Sequence, residues 1–177
     1  MAKILVDVEA DGPCPGLYSM VSFGAVHLTK EGVGESFYGQ TAPLPFAKMV
    51  PEALKVSGHS QEEHAKFASP VETMTEFEQW LLKIKKEHGS KRLFFISDNN
   101  GFDWQFINYY FWLALGRNPF GHSSSNLGDL YKGMQKSAFV NFKHLRKTKH
   151  THHPVDDATG NAEALLTMTQ QGLKIGL

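Results

Sequence analysis

The chain has 177 residues, 41% of them hydrophobic, with 18 basic and 18 acidic side chains that cancel. This length suits one domain, 1–177, with an ample core, and balanced charge excludes nucleic-acid binding through a global basic field, leaving only a local patch for that purpose. A single cysteine, Cys14, excludes an internal disulfide and fits a reducing cytoplasm, and no apolar segment approaches membrane-spanning length. The start, Met-Ala-Lys and a short apolar run cut off by Asp7, is not patterned as a signal peptide.

Ile4-Leu5-Val6 and Val8 predict a first strand, rich in branched apolar residues and buried on both faces. Side chains alternate along a strand, so Asp7 and Glu9 emerge on the same side. Two carboxylates held this close in a buried strand repel one another and are costly to desolvate, and a hard divalent cation between them relieves both. The run Ala10 to Gly16 is turn-rich and ends the strand. Met20 to Thr29 and Ser36 to Gln40 read as a second and a third strand, linked through Lys30-Glu31-Gly32, and together the three suggest an antiparallel meander.

From Ala42 to Gly89 the pattern becomes helical. Ser60 with Glu63 and Ser69 with Glu72 each match a capping box, the second with Pro70 at the first helical position. Val71, Met74, Phe77, Leu81 and Ile84 recur at helical spacing as a core stripe. Arg92 to Ser97 is a fourth strand, followed by a helix from Phe102 to Leu115 with Phe102, Phe106, Tyr110 and Leu113 on one face and Gly116 as its stop. Asp103 lies in the first turn, where the helix dipole favours a carboxylate. Asn126 to Met134 is a further helix, and the link before it has room for a short fifth strand. Phe142 to His150 is the one dense basic run, either a solvated loop or a phosphate-facing one. Pro154 to Gln171 predicts a last helix with Ala158, Ala162 and Leu165 inward, and Gly160 within it costs about 1 kcal/mol relative to Ala, which suggests close packing on a neighbour.

Asp7, Glu9, Asp103 and Asp157 thus come from separate elements, with His152 five residues before Asp157. Phosphodiester hydrolysis by two metals needs this inventory: carboxylates to hold two ions about 3.5–4 Å apart, and a histidine titrating near neutrality to take a proton from the attacking water. His153 competes with His152 for that role, while His122, His144 and His150 read as surface histidines.

The motifs resemble those of the DEDD-type 3′–5′ exonucleases of the histidine subclass, which includes proofreading exonuclease subunits and ribonuclease T. Asp7-Val8-Glu9-Ala10-Asp11-Gly12 is similar to their Asp-x-Glu-x-x-Gly, and Asn99-Asn100-Gly101-Phe102-Asp103 to their second motif, with Asp98 where relatives often carry His. His152 to Ala158 is similar to the third, His-x4-Asp-Ala, and this six-residue register favours His152 over His153. The resemblance implies an α/β, RNase H-like three-layer fold: a mixed five-stranded sheet of order 3-2-1-4-5, strand 2 antiparallel, flanked by helices. It implies two divalent cations, Mg²⁺ or Mn²⁺, on the four acids, and release of nucleoside 5′-monophosphates from single-stranded 3′ ends, with DNA slightly favoured over RNA. It also puts the backbone of Ala10 and Asp11 against the terminal nucleotide, beside Asn99. Tyr18, Met20 and Phe102 are candidates to stack on terminal bases, with core packing the competing role, and Arg146 and Lys147 are candidates for phosphate contacts. Such enzymes often dimerise, and a free-standing one suits repair, RNA end-trimming or anti-phage defence. The competing functions are a nucleotide or dinucleotide hydrolase using the same metals, and a non-catalytic binding module; intact acids at every motif position argue against the latter.

Overall fold

A computed structural model describes residues 1–176. Its sheet runs β3-β2-β1-β4-β5, built from β1 (Ala2–Ala10), β2 (Met20–Leu28), β3 (Val33–Gln40), β4 (Leu93–Ser97) and β5 (Ser124–Asn126). β1, β2 and β3 form the expected antiparallel meander, whereas β4 runs parallel to β1 and β5 parallel to β4, so the sheet is mixed.

Alternation along β1 sends its two sets of side chains into two cores. Ala2, Ile4, Val6, Val8 and Ala10 pack with the helices that precede and follow β4, while Leu5 packs with the helices near the C-terminus. The first pair is α3 (Pro70–Glu87) and α4 (Asn100–Leu115), after two short helices, α1 (Pro51–Val56) and α2 (Gln61–His64). The second pair is α5 (Leu127–Gln135) and α6 (Pro154–Gln170). The result is the RNase H-like layering.

Local chemistry sets the helix ends. Both capping boxes form, each serine accepting an N–H from the glutamate three residues on and each glutamate reaching back to the serine backbone. Gly116 ends α4 in the left-handed conformation, and Asn126 caps α5 through the Asp129 N–H. Two residues of the expected core stripes are instead exposed. The buried face of α3 centres on Met74, Phe77, Leu81 and Ile84, and that of α4 on Phe106, Ile107, Tyr110 and Phe111. At 3.6 residues per turn Val71 and Leu113 fall roughly a quarter-turn off these centres, on the flanks. Ala42 to Val50 is loop, not helix.

One close approach fixes the position of α6. Gly24 on β2 pairs with Asp7 on β1. A β-carbon at Gly24 would land on the Pro154 carbonyl and the Val155 amide, so the first turn of α6 rests on bare strand backbone. Asp157, in that same turn, is thereby set down over Asp7. Gly24→Ala is expected to cost about 1–3 kcal/mol through overpacking, seen as a Tm lowered by roughly 3–10 °C in thermal unfolding of a domain this size. An unchanged Tm would show that the helix has room to lift.

Candidate active site

Asp7 and Glu9 project from β1 on the face that α6 covers, and there they meet Asp157. Each of the three offers a carboxylate oxygen, and these oxygens all lie within 4.8 Å of one another. Asp103 arrives from the other layer. β1 runs past its last pairing with β4 at Leu5, and further along it Asp103 Oδ1 takes the Val8 N–H at 3.1 Å. The second oxygen of Asp103 is buried with no hydrogen-bond partner.

Crowding and burial disfavour the charged forms. Asp103 is pushed up to about 8, chiefly by burial. Glu9 rises to about 7 through burial and then the neighbouring Asp157 charge. Asp7 is raised well above the ordinary carboxylate range by burial, then by Asp103, Asp157 and Glu9, with Arg146 opposing. An all-carboxylate donor set with one unpartnered buried oxygen suits a hard, oxygen-seeking divalent cation.

The segment leading into α6 is folded onto Asp157. The Thr151 N–H reaches its Oδ1 at 3.3 Å and the His152 N–H its Oδ2 at 3.2 Å. His150, read from the sequence as a surface histidine, is exposed and also puts Nδ1 2.7 Å from Asp157 Oδ1. His152 has φ of 60°, a left-handed conformation that is uncommon for a residue with a side chain. Its ring is half exposed, packs edge-on to His150 and holds Nδ1 3.8 Å from Glu9 Oε1. His153 turns the other way, its ring stacked 4.9 Å from that of Tyr38 on β3. The backbone therefore separates the two neighbours: His152 faces the carboxylates and His153 faces the strand. A groove of about 430 Å³ runs beside them, lined by Tyr38, Gln40, Val56 to His59 and Thr151 to Pro154.

Residues 4–165 match the exonuclease family RNase_T. The chain belongs to that exonuclease family. With it comes membership of the DEDDh 3′–5′ exonuclease superfamily. Among curated relatives, the 3′-5′ DNA exonuclease Cap18 of Escherichia coli is 36% identical over 137 residues, 77% of this chain and 71% of that protein. Among solved structures, the nuclease domain of 3′hExo, a DEDDh family member bound to rAMP, superposes with a TM-score of 0.78 at 17% identity, covering 97% of this chain and 93% of that one. Exonuclease I of E. coli in complex with a 5cy-dT13 oligonucleotide gives 0.71 at 17% identity over 96% of this chain and 40% of that one.

In this RNase_T chain the residues expected to touch substrate do not share one surface. Met20 is fully buried on the core face of β2, its N–H donated to the Tyr110 hydroxyl at 2.8 Å, and a stacking role for it is ruled out. The Ala10 side chain lies in the core, and its backbone is at the end of β1, paired with Met20. The Asp11 carboxylate is turned inside, accepting the Ser19 N–H at 2.6 Å near His64, and burial lifts it to about 6. The Asp11 backbone is also used internally: its N–H goes to Ser19 and its carbonyl to the Val50 N–H. Tyr18 covers Gly12, and Phe102 leans on Phe106. Asn99 is exposed and receives the Phe102 and Asp103 N–H groups on its carbonyl. Lys147 is exposed, but the Arg146 side chain is only 8% exposed and points inward. Sequence reasoning had no signal for His150, nor for Glu163, which anchors the segment by accepting the Lys147 and Thr148 N–H groups.

The raised carboxyls carry a signature in stability. The folded, metal-free protein holds protons on Asp7, Glu9 and Asp103 that the unfolded chain releases near pH 4. Folded protein thus binds more protons than unfolded between roughly pH 4 and 8, and these groups lower stability as pH rises through that window. His27, lowered to about 4 by burial and by His88, acts oppositely below its ordinary value. Asp7→Asn isolates the cluster. In chelator its Tm is expected to exceed wild type clearly at pH 8 and little at pH 5; an equal offset at both would show Asp7 to be ordinarily ionised.

Proposed function

We propose that the protein is a metal-dependent 3′–5′ exonuclease that removes nucleoside 5′-monophosphates from single-stranded 3′ ends, with DNA favoured over RNA. The observation that carries this reading is the meeting of Asp7, Glu9 and Asp157 within 4.8 Å, with Asp103 bonded to the Val8 N–H between the first two and His152 Nδ1 3.8 Å from Glu9 from a separate segment. The similarity to a protein named as a DNA exonuclease supports the preference for DNA. Asp7, Glu9, Asp103 and Asp157 would hold two divalent cations, Mg²⁺ or Mn²⁺, which when bound supply Lewis acidity at the phosphate and lower the pKa of the attacking water.

The chain's own groups do the rest. His152, with Nδ1 3.8 Å from Glu9 Oε1 and a half-exposed ring free to turn, takes the proton of the attacking water on its imidazole. Attack at phosphorus breaks the bond to the 3′-oxygen of the preceding nucleotide, which becomes the new end. The groove beside His152, with the Tyr38–His153 stack and His59, offers ring faces and polar edges suited to a nucleoside.

Labelled single-stranded DNA and RNA, incubated with Mg²⁺, with Mn²⁺ or with chelator, test the reading directly. Asp7→Asn is expected to abolish cleavage while leaving the fold intact, and full activity in that variant would sink the site assignment. His152→Ala should lose about 10²–10⁴-fold in rate, whereas His153→Ala should not. The reverse pattern would give the base to His153.

A second reading, hydrolysis of nucleotides or dinucleotides by the same groups, is opposed by a cleft of about 300 Å³ next to the site, lined by Lys143, Lys147, Lys149 and His150 at its mouth and by Thr148 and the inward-turned Arg146. Such a cleft suits the phosphates of a longer strand. Replacing Lys147 and Lys149 with Ala should weaken oligonucleotide binding and flatten its salt dependence by about 0.7 of a unit of slope per lost contact. Equal rates on a dinucleotide and a longer oligomer, with an unchanged salt slope, would favour the small-substrate reading.

A further inference from the structure

Arg146 sits in the basic run, yet its surroundings are those of an interior residue. Its side chain is 8% exposed, and that of Asn161 is fully buried. Nε and Nη2 both donate to Asn161 Oδ1, the first at 3.1 Å, and Nη2 also reaches the Asp157 carbonyl at 3.5 Å. Nη1 lies 3.8 Å from Asp157 Oδ1, and the guanidinium carbon sits 5.9 Å from the centre of the Phe142 ring.

The path to this position is prepared in α6. A β-carbon at Gly160 would come 2.9 Å from the Thr148 carbonyl and 3.3–3.4 Å from the stem of Arg146, so the arginine crosses the helix where only glycine leaves space. Asn161 follows Asp157 by four residues and shares its helix face. Its amide nitrogen is buried without a partner. A guanidinium is donor-only, so the amide oxygen must face it whatever becomes of that nitrogen. Glu163 then fixes the next two backbone N–H groups, at 2.9 and 2.7 Å, and the Thr148 hydroxyl. From there the chain runs only to Thr151 and His152, whose N–H groups end on Asp157 itself.

We propose that Arg146, gripped by Asn161, is a positioning residue that sets the Asp157 carboxylate and the histidine segment, and that it makes no phosphate contact. The inference rests on the reading of Asp157 as a cation ligand and His152 as the proton acceptor. A lysine at this position keeps the charge but loses the planar fork that spans Asn161 and Asp157. The exposed Lys143, Lys147 and Lys149 are left as the lysines of this run that face phosphate.

The experiment measures kcat and KM on a labelled single-stranded DNA oligomer at saturating Mg²⁺ for Arg146→Lys, Arg146→Gln, Asn161→Ala and the Arg146→Gln/Asn161→Ala pair. The salt dependence of kcat/KM is recorded for each. Outer partners of metal ligands are expected to change activity by about 10–100-fold. Arg146→Lys and Asn161→Ala should each lose that much in kcat, with KM and the salt slope at wild-type values. The double variant should lose no more than the worse single one, because the two residues act as one unit. Asn161→Asp, which keeps the acceptor, should restore kcat to within a few-fold. A kcat within twofold of wild type in the folded variants overturns the proposal. So does a raised KM with the salt slope flattened by about 0.7, the mark of a lost phosphate contact. If the Arg146 variants melt below the assay temperature, Asn161→Ala and Asn161→Asp decide the matter from the α6 side. Asp7→Asn run in parallel separates the two levels: full activity there removes the catalytic reading, whereas an inert Asp7→Asn beside an unimpaired Asn161→Ala removes only this inference.

Discussion

The contact between the first turn of α6 and the bare backbone of β2 at Gly24 is what the site depends on. Asp7 pairs with Gly24 across the strands, and Pro154 and Val155 lie directly above it. A side chain there would hold the helix off the sheet, and Asp157 with it. Packed cores do not deform continuously to absorb such a change. A glycine with no chemistry of its own therefore decides whether the carboxylates of two layers meet.

That meeting is unfavourable in itself. Asp7, Glu9 and Asp103 are all raised by burial, and Asp7 and Glu9 further by each other's neighbours, so the assembled site prefers protons or cations to bare charge. The protein offsets part of this cost internally. Arg146 opposes the rise of Asp7 from within the fold, the Val8 N–H serves Asp103, and the Thr151 and His152 N–H groups serve Asp157. The remaining demand is for positive charge among oxygen donors, which is the condition a hard cation meets. Site and fold are thus in tension, as expected where local stability is given up for chemistry.

The histidine segment shows how one acid can do two jobs. Asp157 contributes to the carboxylate cluster and also receives the backbone of the segment that carries His152. The left-handed conformation of His152 aims its ring at Glu9, while the next residue swings to Tyr38. Because the ring of His152 is half exposed, it can turn on a fixed backbone. Its placement is therefore tied to the same side chain that helps assemble the cluster.

Much of this was legible in the residues. Strand alternation puts Asp7 and Glu9 on one face without reference to anything else, and the capping boxes at Ser60 and Ser69 and the close approach at Gly160 are local chemistry that the fold then honours. The three motifs, in order, identified the family and its sheet. What they left open were questions about partners. Arg146 and Lys147 are adjacent basic residues, yet one is buried against α6 and the other exposed. Met20 and Asp11 flank the same turn as Tyr18, yet both are turned inside. His150 is at the surface, as read, yet its ring also reaches Asp157. A period along the chain reports the angle of a side chain about its own element. It carries no information on which other element covers that angle, and this was decided only when α6 settled onto the sheet.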